Sequence, residues 1–167
     1  MSEVREIVKT GLANPRRAFP QIKVLAKSDD WAEREVSATA LVEISKKQSE
    51  KIIAEMLTWS KDNNPNIRRT ASEALRHIAR KQPASVLPIL ENLKNDSSLY
   101  VRKSVANVIR NAGNYEPEFV LTLCSRWGLL HDANTNRIIK DALRKLKTTR
   151  PTEVGLILES LQRTRTE

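Results

Sequence analysis

Glycine and aromatic residues are scarce in this sequence, and their scarcity narrows the choice of folds. Only 4 of the 167 residues are glycine, and aromatic residues make up 4% of the chain. A core with so few rings must be aliphatic, and Val, Ile, Leu and Ala recur at spacings of three and four residues, as on the buried face of a helix. We therefore predict an all-α protein that forms a single domain over residues 1–167.

Cysteine, histidine and long apolar segments are also nearly absent. The only cysteine, Cys124, cannot form an internal disulfide, and two histidines are too few for a Cys/His metal site. No run is apolar enough to cross a membrane, and the N-terminal segment MSEVREIVKTGLANPRRAFP lacks the apolar centre of a signal peptide. We expect a reducing, cytoplasmic setting without a membrane partner, and a frayed tail over LQRTRTE.

Positive charge, in contrast, is in excess. The formal net charge is +9. This excess of positive charge favours binding to a polyanion. Nucleic acid is the favoured candidate, and an anionic membrane surface is the second. The alternative is a basic surface that serves solubility alone, and it stays open until the charges are shown to share one face of the fold.

Apolar residues repeat at an interval of 34 residues. Two helices per interval, each with an apolar side, describe a helical solenoid. Three registers belong to one helix of each pair: Ile22, Met56, Leu90, Cys124 and Leu158; Ile52, Val86, Val120 and Val154; and Leu25, Trp59, Leu93, Trp127 and Leu161. Two belong to the other helix: Ala40, Ala74, Val108 and Ala142; and Leu41, Leu75, Ile109 and Leu143.

Asn and Pro place the helix boundaries within this repeat. Asn14-Pro15 and Asn64-Pro65 each predict a capping side chain followed by a first-turn proline. A first helix is predicted at 3–12, and the outer helices are predicted at 15–27, 49–61, 84–94, 117–128 and 151–162. The inner helices are predicted at 31–46, 65–80, 98–112 and 134–147.

Aspartate and arginine recur six residues apart between the two helices of a repeat. The pairs are Asp62 with Arg68 and Asp96 with Arg102, and Ile or Val precedes each arginine. This pattern resembles the HEAT repeat, in which such residues pair, although 34 residues is shorter than the usual length of about 40–47. The Trp-Leu-Gly-Tyr signature of tetratricopeptide repeats is missing. The arginines in this slot are predicted to be structural rather than DNA ligands: Arg34, Arg68 and Arg102.

The predicted inner helices share a stripe of mostly basic residues. In the 65–80 helix, Arg69, Glu73, Arg76 and Arg80 fall on one face. Steps of 34 residues extend the stripe: Glu35, Thr39, Val42 and Lys46; Lys103, Asn107, Arg110 and Asn114; and Arg137, Asp141, Arg144 and Thr148. Because inner helices line the concave side of HEAT arrays, the stripe predicts a basic concave groove that suits a phosphate backbone. The alternative is an ordinary solvated face with charges of both signs.

One segment resembles a signature of the DNA alkylation repair family, the HEAT-like-repeat DNA glycosylases. It is DSSLYVRKSVAN, residues 96–107, and weaker matches are NPNIRRTASE at 64–73, NTNRIIKDALRKL at 134–146 and DDWAEREVSA at 29–38. The similarity spans roughly residues 29–160. It implies a concave groove that grips the DNA backbone, and excision of cationic alkylated bases such as N3- or N7-methylpurines, without a cofactor. Carboxylates in such a site stabilise the oxocarbenium-like charge and position water.

The resemblance carries over to three candidate catalytic positions: Glu35, Glu73 and Asn111. The two glutamates match acidic positions of the family's site, whereas Asn111 stands where a third carboxylate would fall. An amide supplies no negative charge, so we expect excision to be inefficient. The alternatives are surface salt bridges for the glutamates and helix C-capping before Gly113 for Asn111. The segment 74–81 also lacks the Trp-containing insert of the family, and the chain is shorter at its N-terminus than typical members.

These features together predict a monomeric HEAT-like superhelix of about five helix pairs, with a basic concave face that binds duplex DNA. Single-strand binding by base stacking is disfavoured, because Trp59 and Trp127 belong to a core register. The predicted DNA-binding residues are Arg69, Arg76, Arg80, Lys103, Asn107, Arg110, Arg137 and Arg144. Weak base excision and non-catalytic DNA binding both stay open, and the alternative function is a HEAT-type protein–protein interaction scaffold.

Overall fold

A computed structural model describes residues 2–163, and this part of the chain contains helices and turns without any strand. The last four residues of the predicted frayed tail lie outside it. No helix within residues 2–163 is both long and apolar enough to cross a membrane. The helices are α1 (Ser2–Ala13), α2 (Pro15–Lys27), α3 (Trp31–Ser45), α4 (Ser49–Trp59), α5 (Pro65–Glu73), α6 (Ile78–Lys81), α7 (Pro83–Leu93), α8 (Leu99–Ala112), α9 (Pro117–Gly128), α10 (Ala133–Ala142), α11 (Leu146–Thr149) and α12 (Pro151–Ser160).

The helices form two layers of a solenoid. In the inner layer α3, α5, α8 and α10 pack one after another, and α1 packs against α3 at one end. Each inner helix packs against the outer helix that comes before it in the chain, and α12 packs against α9 at the other end. The predicted all-α helical-repeat solenoid is therefore confirmed.

The apolar registers form the core of this solenoid. All members of the registers that contain Cys124, Val120 and Trp127 are buried except Leu158, which is partly buried, and the inner-helix registers are buried throughout. Burial raises the pKa of the Cys124 thiol to about 12, so this side chain is a neutral core group. Trp59 and Trp127 are buried in the core, as their register predicts.

Side-chain caps begin the helices where Asn and Pro predict them. The Asn14 Oδ1 accepts a hydrogen bond from the Arg16 N–H at 3.2 Å, and the Asn64 Oδ1 accepts one from the Asn66 N–H at 2.9 Å. In both helices proline occupies the first turn, where its missing N–H leaves no intrahelical bond unmade. Both predicted helix starts are thus confirmed.

Two inner helices are interrupted, and their prediction as continuous helices was wrong. The 65–80 helix divides into α5 and α6, and the 134–147 helix divides into α10 and α11. At the first break the Leu75 N–H bonds to the Ser72 carbonyl and the Arg76 N–H to the Glu73 carbonyl, a three-residue spacing that tightens the turn. Leu75 and Ile78 stay buried on either side, so the apolar spacing is satisfied across the break and does not reveal it.

The aspartate–arginine ladder exists, but its carboxylate pairs with a different repeat from the one predicted. Each ladder arginine donates from Nη1 to the backbone carbonyl six residues earlier: Arg34 to Ser28 at 2.8 Å, Arg68 to Asp62 at 2.9 Å and Arg102 to Asp96 at 2.7 Å. The Asp96 carboxylate instead accepts two bonds from Arg68 of the preceding repeat, from Nε at 2.8 Å and from Nη2 at 3.1 Å. This two-point ion pair fixes the register between neighbouring repeats.

Replacement of Asp96 by alanine tests the inter-repeat pair. We expect the free energy of unfolding to fall by about 3 kcal/mol, because the largely buried Arg68 loses its counter-ion. Asp62→Ala is the matched control, since both carboxylates also accept a backbone N–H two residues on. Within residues 2–163 the ion-pair partner of Asp62 is the half-exposed Lys23, at 3.4 Å. The control should lose about 1 kcal/mol or less. Equal losses in urea denaturation of the two variants would contradict the assignment.

Candidate nucleic-acid interface

The stripe predicted from the sequence lies on α3, α5, α8 and α10, and on the turns and short helices α6 and α11 that follow α5 and α10. We call its surface the inner-helix face. Two contacts between successive helices join it: Arg69 of α5 meets Glu35 of α3, and Arg110 of α8 meets Asp141 of α10. Residues about 34 apart in the sequence are therefore neighbours in space. The face contains two clusters of paired charges and a set of exposed cations.

The first cluster gathers the two candidate catalytic glutamates around one guanidinium group. The Arg69 Nη2 lies 3.2 Å from the Glu35 Oε1 and 3.6 Å from the Glu73 Oε1. The second oxygen of Glu73 lies 3.5 Å from the Arg76 Nε. Arg69 and Glu73 are 8% and 7% exposed, so these charges are desolvated and compensate one another.

Tyr100, in the first turn of α8, completes this cluster. The Arg69 guanidinium carbon lies 4.3 Å from the centre of the Tyr100 ring, and that of Arg34 lies 5.7 Å from it. Both distances are within the range of cation–π attraction. One signal was available in the sequence: Tyr100 is the single aromatic in a slot that other repeats fill with Ala32, Asn66 and Asn134.

The second cluster surrounds Asp141. The Arg110 Nη1 donates to the Asp141 carboxylate at 2.9 Å and to its backbone carbonyl at 3.2 Å, and the Arg110 Nη2 donates to the Asn107 Oδ1 at 2.8 Å. Arg144 lies 3.4 Å from the same carboxylate, and most of its side chain stays exposed. Arg110 is thus held inside the face, whereas Arg144 can still reach a ligand.

The remaining predicted cations are exposed on the same face. Arg80, Lys103 and Arg137 are all solvent-exposed, and the Arg80 guanidinium lies 5.7 Å from the ring of Tyr115. Lys103 and Arg137 flank a cavity of about 130 Å³ between α8 and α10. Its lining is completed by Leu99, Arg102, Ala106, Ile138 and Asp141.

Asn111 lies within α8 and is half-buried. Within residues 2–163 its side chain forms no hydrogen bond with Glu35 or Glu73. The predicted alternative, a C-cap before Gly113, was wrong in its geometry, because α8 continues through Ala112 and Gly113 keeps right-handed helical angles (φ −61°, ψ −22°). The Asn111 carbonyl accepts the Asn114 N–H at 3.2 Å as the helix ends.

The pKa of His77 reports the charge at one end of the face. Burial and the nearby Lys81, Lys46 and Arg80 lower this pKa below its ordinary value, while Glu43 raises it. Lys46 and Arg80 both belong to the predicted stripe. Positive charge therefore accumulates where α3 and α6 end.

Substitution of Lys46 and of Glu43 tests this local field with opposite signs. Lys46→Gln should raise the pKa of His77, because it removes one of the cations that disfavour the protonated imidazole. Glu43→Gln should lower the pKa further, because it removes the one opposing anion. An NMR titration of the imidazole protons measures both. Shifts in the same direction for the two variants would contradict the assignment.

The chain is similar to a known repeat family and to several solved structures. A family model described as HEAT repeats matches residues 20–110. The structure of Pseudomonas fluorescens alkylpurine DNA glycosylase AlkC, bound to DNA containing an abasic site analog, is 28% identical, with a TM-score of 0.77 over 93% of this chain and 44% of that chain. This chain thus spans less than half the length of AlkC. The comparison with curated proteins found no match.

Two structures from Streptococcus mutans are also similar. The smu.31 protein of strain UA159 is 28% identical, with a TM-score of 0.69 over 79% of this chain and 69% of that chain. AlkD2 is 28% identical, with a TM-score of 0.69 over 80% and 67%. The predicted resemblance to HEAT-like alkylation repair proteins is therefore confirmed. Because the repeat model covers more than half of the sequence, this chain belongs to the HEAT-repeat family.

Proposed function

We propose that this HEAT-repeat protein binds the backbone of duplex DNA along a concave inner-helix face. The observation that carries the proposal is the set of exposed cations on neighbouring inner helices, where Lys103 of α8 and Arg137 of α10 line one cavity. Cations fixed on stacked helices match a row of phosphates and gain free energy by releasing counter-ions. The similarity to a DNA-bound glycosylase structure supports the same ligand class.

The paired cations and the exposed cations differ in how readily they can contact phosphate. Arg69 and Arg110 already have carboxylate partners, so a phosphate would have to compete for them. Arg80, Lys103, Arg137 and Arg144 are exposed, and they are the residues that we assign to phosphate contacts. Asn107 orients Arg110, and Arg76 is partly held by the carbonyl and carboxylate of Glu73.

The dependence of duplex affinity on salt tests this assignment. Four phosphate contacts predict that log affinity falls against log salt with a slope of roughly −4. In a Lys103→Glu/Arg137→Glu variant the slope should shrink by about two and the affinity should fall at least tenfold at low salt. Fluorescence anisotropy with a labelled duplex measures both quantities.

The matched control reverses two exposed lysines of the outer layer, Lys27 and Lys51. Each reversal changes the charge by two, so both double variants carry +5 in place of +9. The control should keep the slope and nearly all of the affinity. Equal losses in the two variants would contradict a localised face, and absence of salt-sensitive DNA binding in the unaltered protein would favour the protein-interaction scaffold instead.

A second proposed activity is slow excision of cationic alkylated bases, and it is carried by the meeting of Glu35 with Glu73 around Arg69. Loss of such a base leaves positive charge on the deoxyribose, which carboxylates stabilise. Glu35 and Glu73 would supply this charge in the present chain. Asn111 would not, so the reaction should be slow compared with a site that has three carboxylates.

Release of methylated purine from alkylated duplex DNA tests the second activity. Glu73→Gln should lower the rate by about 10²–10³-fold, whereas Asn111→Asp should raise it by roughly tenfold. Glu43→Gln is the control, because Glu43 is an α3 carboxylate that pairs with Lys46 and lies outside the cluster. Release no faster than in buffer, from both the unaltered protein and Asn111→Asp, would eliminate the activity while leaving DNA binding in place.

A further inference from the structure

The ladder of arginines between repeats lacks one carboxylate. Arg68 uses all three of its side-chain nitrogens: Nη1 bonds to a carbonyl of its own turn, and Nε and Nη2 bond to the Asp96 carboxylate of the next repeat. Within residues 2–163 the Arg102 side chain donates only the first of these bonds, from Nη1 to the Asp96 carbonyl at 2.7 Å. The residue 34 positions after Asp96 is Leu130, which has no carboxylate to offer.

The backbone shows that Leu130 stands in the place of a ladder aspartate. In three successive turns the N–H of this residue bonds to the carbonyl three residues earlier: Asp62 to Trp59 at 3.1 Å, Asp96 to Leu93 at 3.2 Å and Leu130 to Trp127 at 3.1 Å. Asp96 is buried beside Arg68, whereas Leu130 is 43% exposed. The third turn is therefore built like the other two, but its side chain gives Arg102 no counter-ion.

Arg34, the first arginine of the ladder, differs from Arg102 in its surroundings. Both leave a buried Nε without an acceptor in the described part of the chain. The aspartate that follows Arg34 in the ladder is present, as Asp62, and the Arg34 guanidinium lies 5.7 Å from the centre of the Tyr100 ring. Arg102 has a leucine at the matching position, and it lines the cavity of about 130 Å³ between α8 and α10. A missing counter-ion and adjoining open space occur together only at Arg102 among the three ladder arginines of residues 2–163.

This cavity combines positive charge with apolar walls. Lys103 and Arg137 are further cations of the lining, and the acidic residue Asp141 already pairs with Arg110 at 2.9 Å. Arg102 is 7% exposed, so an anion that reaches it is shielded from water and forms a strong charge-assisted hydrogen bond. The apolar part of the lining is Leu99, Ala106 and Ile138.

The small size of the cavity favours a carboxylate over a phosphate of the DNA backbone. A carboxylate ends a slender side chain and can enter from its tip, in the way that Asp96 reaches Arg68. A phosphodiester carries a sugar on each of two sides and cannot enter in this way. The Nε–Nη2 edge of a guanidinium also matches the two oxygens of a carboxylate.

We infer that the cavity between α8 and α10 binds an Asp or Glu side chain of a partner protein, with Arg102 as its counter-ion. The occupant makes from outside the contact that Asp96 makes with Arg68 inside the chain. Lys103 and Arg137 flank the same cavity, so an acidic segment docked there competes with duplex DNA. This competition rests on the proposed function, whereas the carboxylate site does not.

A capped tripeptide, acetyl-Leu-Asp-Leu-amide, tests the carboxylate site by NMR at fixed ionic strength. It should shift the Nε–H resonance of Arg102 saturably and leave that of Arg34 in place. The Asn counterpart of the tripeptide and dimethyl phosphate should each bind roughly tenfold more weakly. Equal shifts at the two arginines would overturn the inference. Dimethyl phosphate that binds as tightly as the tripeptide would also overturn it, because Arg102 would then be a contact for DNA phosphate.

Leu130→Asp tests the same site by supplying the ladder carboxylate within the chain. This variant should unfold at a higher urea concentration and bind the tripeptide roughly tenfold more weakly, because its own carboxylate occupies Arg102. Leu129→Asp is the matched control, since Leu129 is 72% exposed and its replacement adds the same charge. The control should keep its tripeptide affinity within about twofold. Equal losses of tripeptide affinity in the two variants would contradict the assignment of Arg102.

Duplex DNA affinity separates the carboxylate site from the proposed function. At tenfold its dissociation constant, the tripeptide should weaken duplex binding by the unaltered protein roughly tenfold, and that by Leu130→Asp only about twofold. A tripeptide that binds without displacing DNA would overturn the competition. Tripeptide binding by a protein that does not bind DNA would contradict only the proposed function, and DNA binding without tripeptide binding would overturn only the carboxylate site.

Discussion

Stacking between repeats is the constraint on which the other features of this protein depend. A single pair of helices buries its apolar side only when another pair covers it, and the inner helices accordingly pack in an uninterrupted series from α3 to α10. The ion pair between Arg68 and Asp96 then fixes how one repeat sits on the next. Because the offset is constant, side chains 34 residues apart meet, and a pattern spread along the chain becomes one surface.

The same offset determines which charges the surface can offer to a ligand. Acidic residues at Glu35, Glu73 and Asp141 each meet an arginine of a neighbouring helix or turn, so part of the basic excess is used within the fold. The remaining cations stay in water and keep their freedom to contact phosphate. A basic stripe in a repeat protein thus contains two populations, one held in buried pairs and one whose side chains are mostly exposed.

Sequence reasoning succeeded where the signal was periodic or local. The core registers of Cys124 and Trp127 follow from period alone, and the starts of α2 and α5 follow from an Asn-Pro pair. It failed where two arrangements satisfy the same pattern. The breaks after α5 and α10 preserve the apolar spacing, so the spacing does not reveal them. The six-residue spacing of Asp and Arg fits two arrangements. The arginine can bind the aspartate carboxylate of its own repeat, or it can bind the backbone carbonyl there and the carboxylate of the next repeat, as Arg68 does.

By itself, the sequence determined the helical class, the 34-residue repeat, the aliphatic core and the excess of positive charge. Each of these is a property of composition or of spacing along the chain. Only the tertiary structure decided three contacts. Tyr100 lies against Arg69, Glu35 and Glu73 both lie beside the Arg69 guanidinium, and Arg110 forms an ion pair with Asp141. These contacts join different helices. A side chain on one inner helix lies within reach of several side chains on the next, so packing geometry decides which of them it contacts, and distance along the sequence does not.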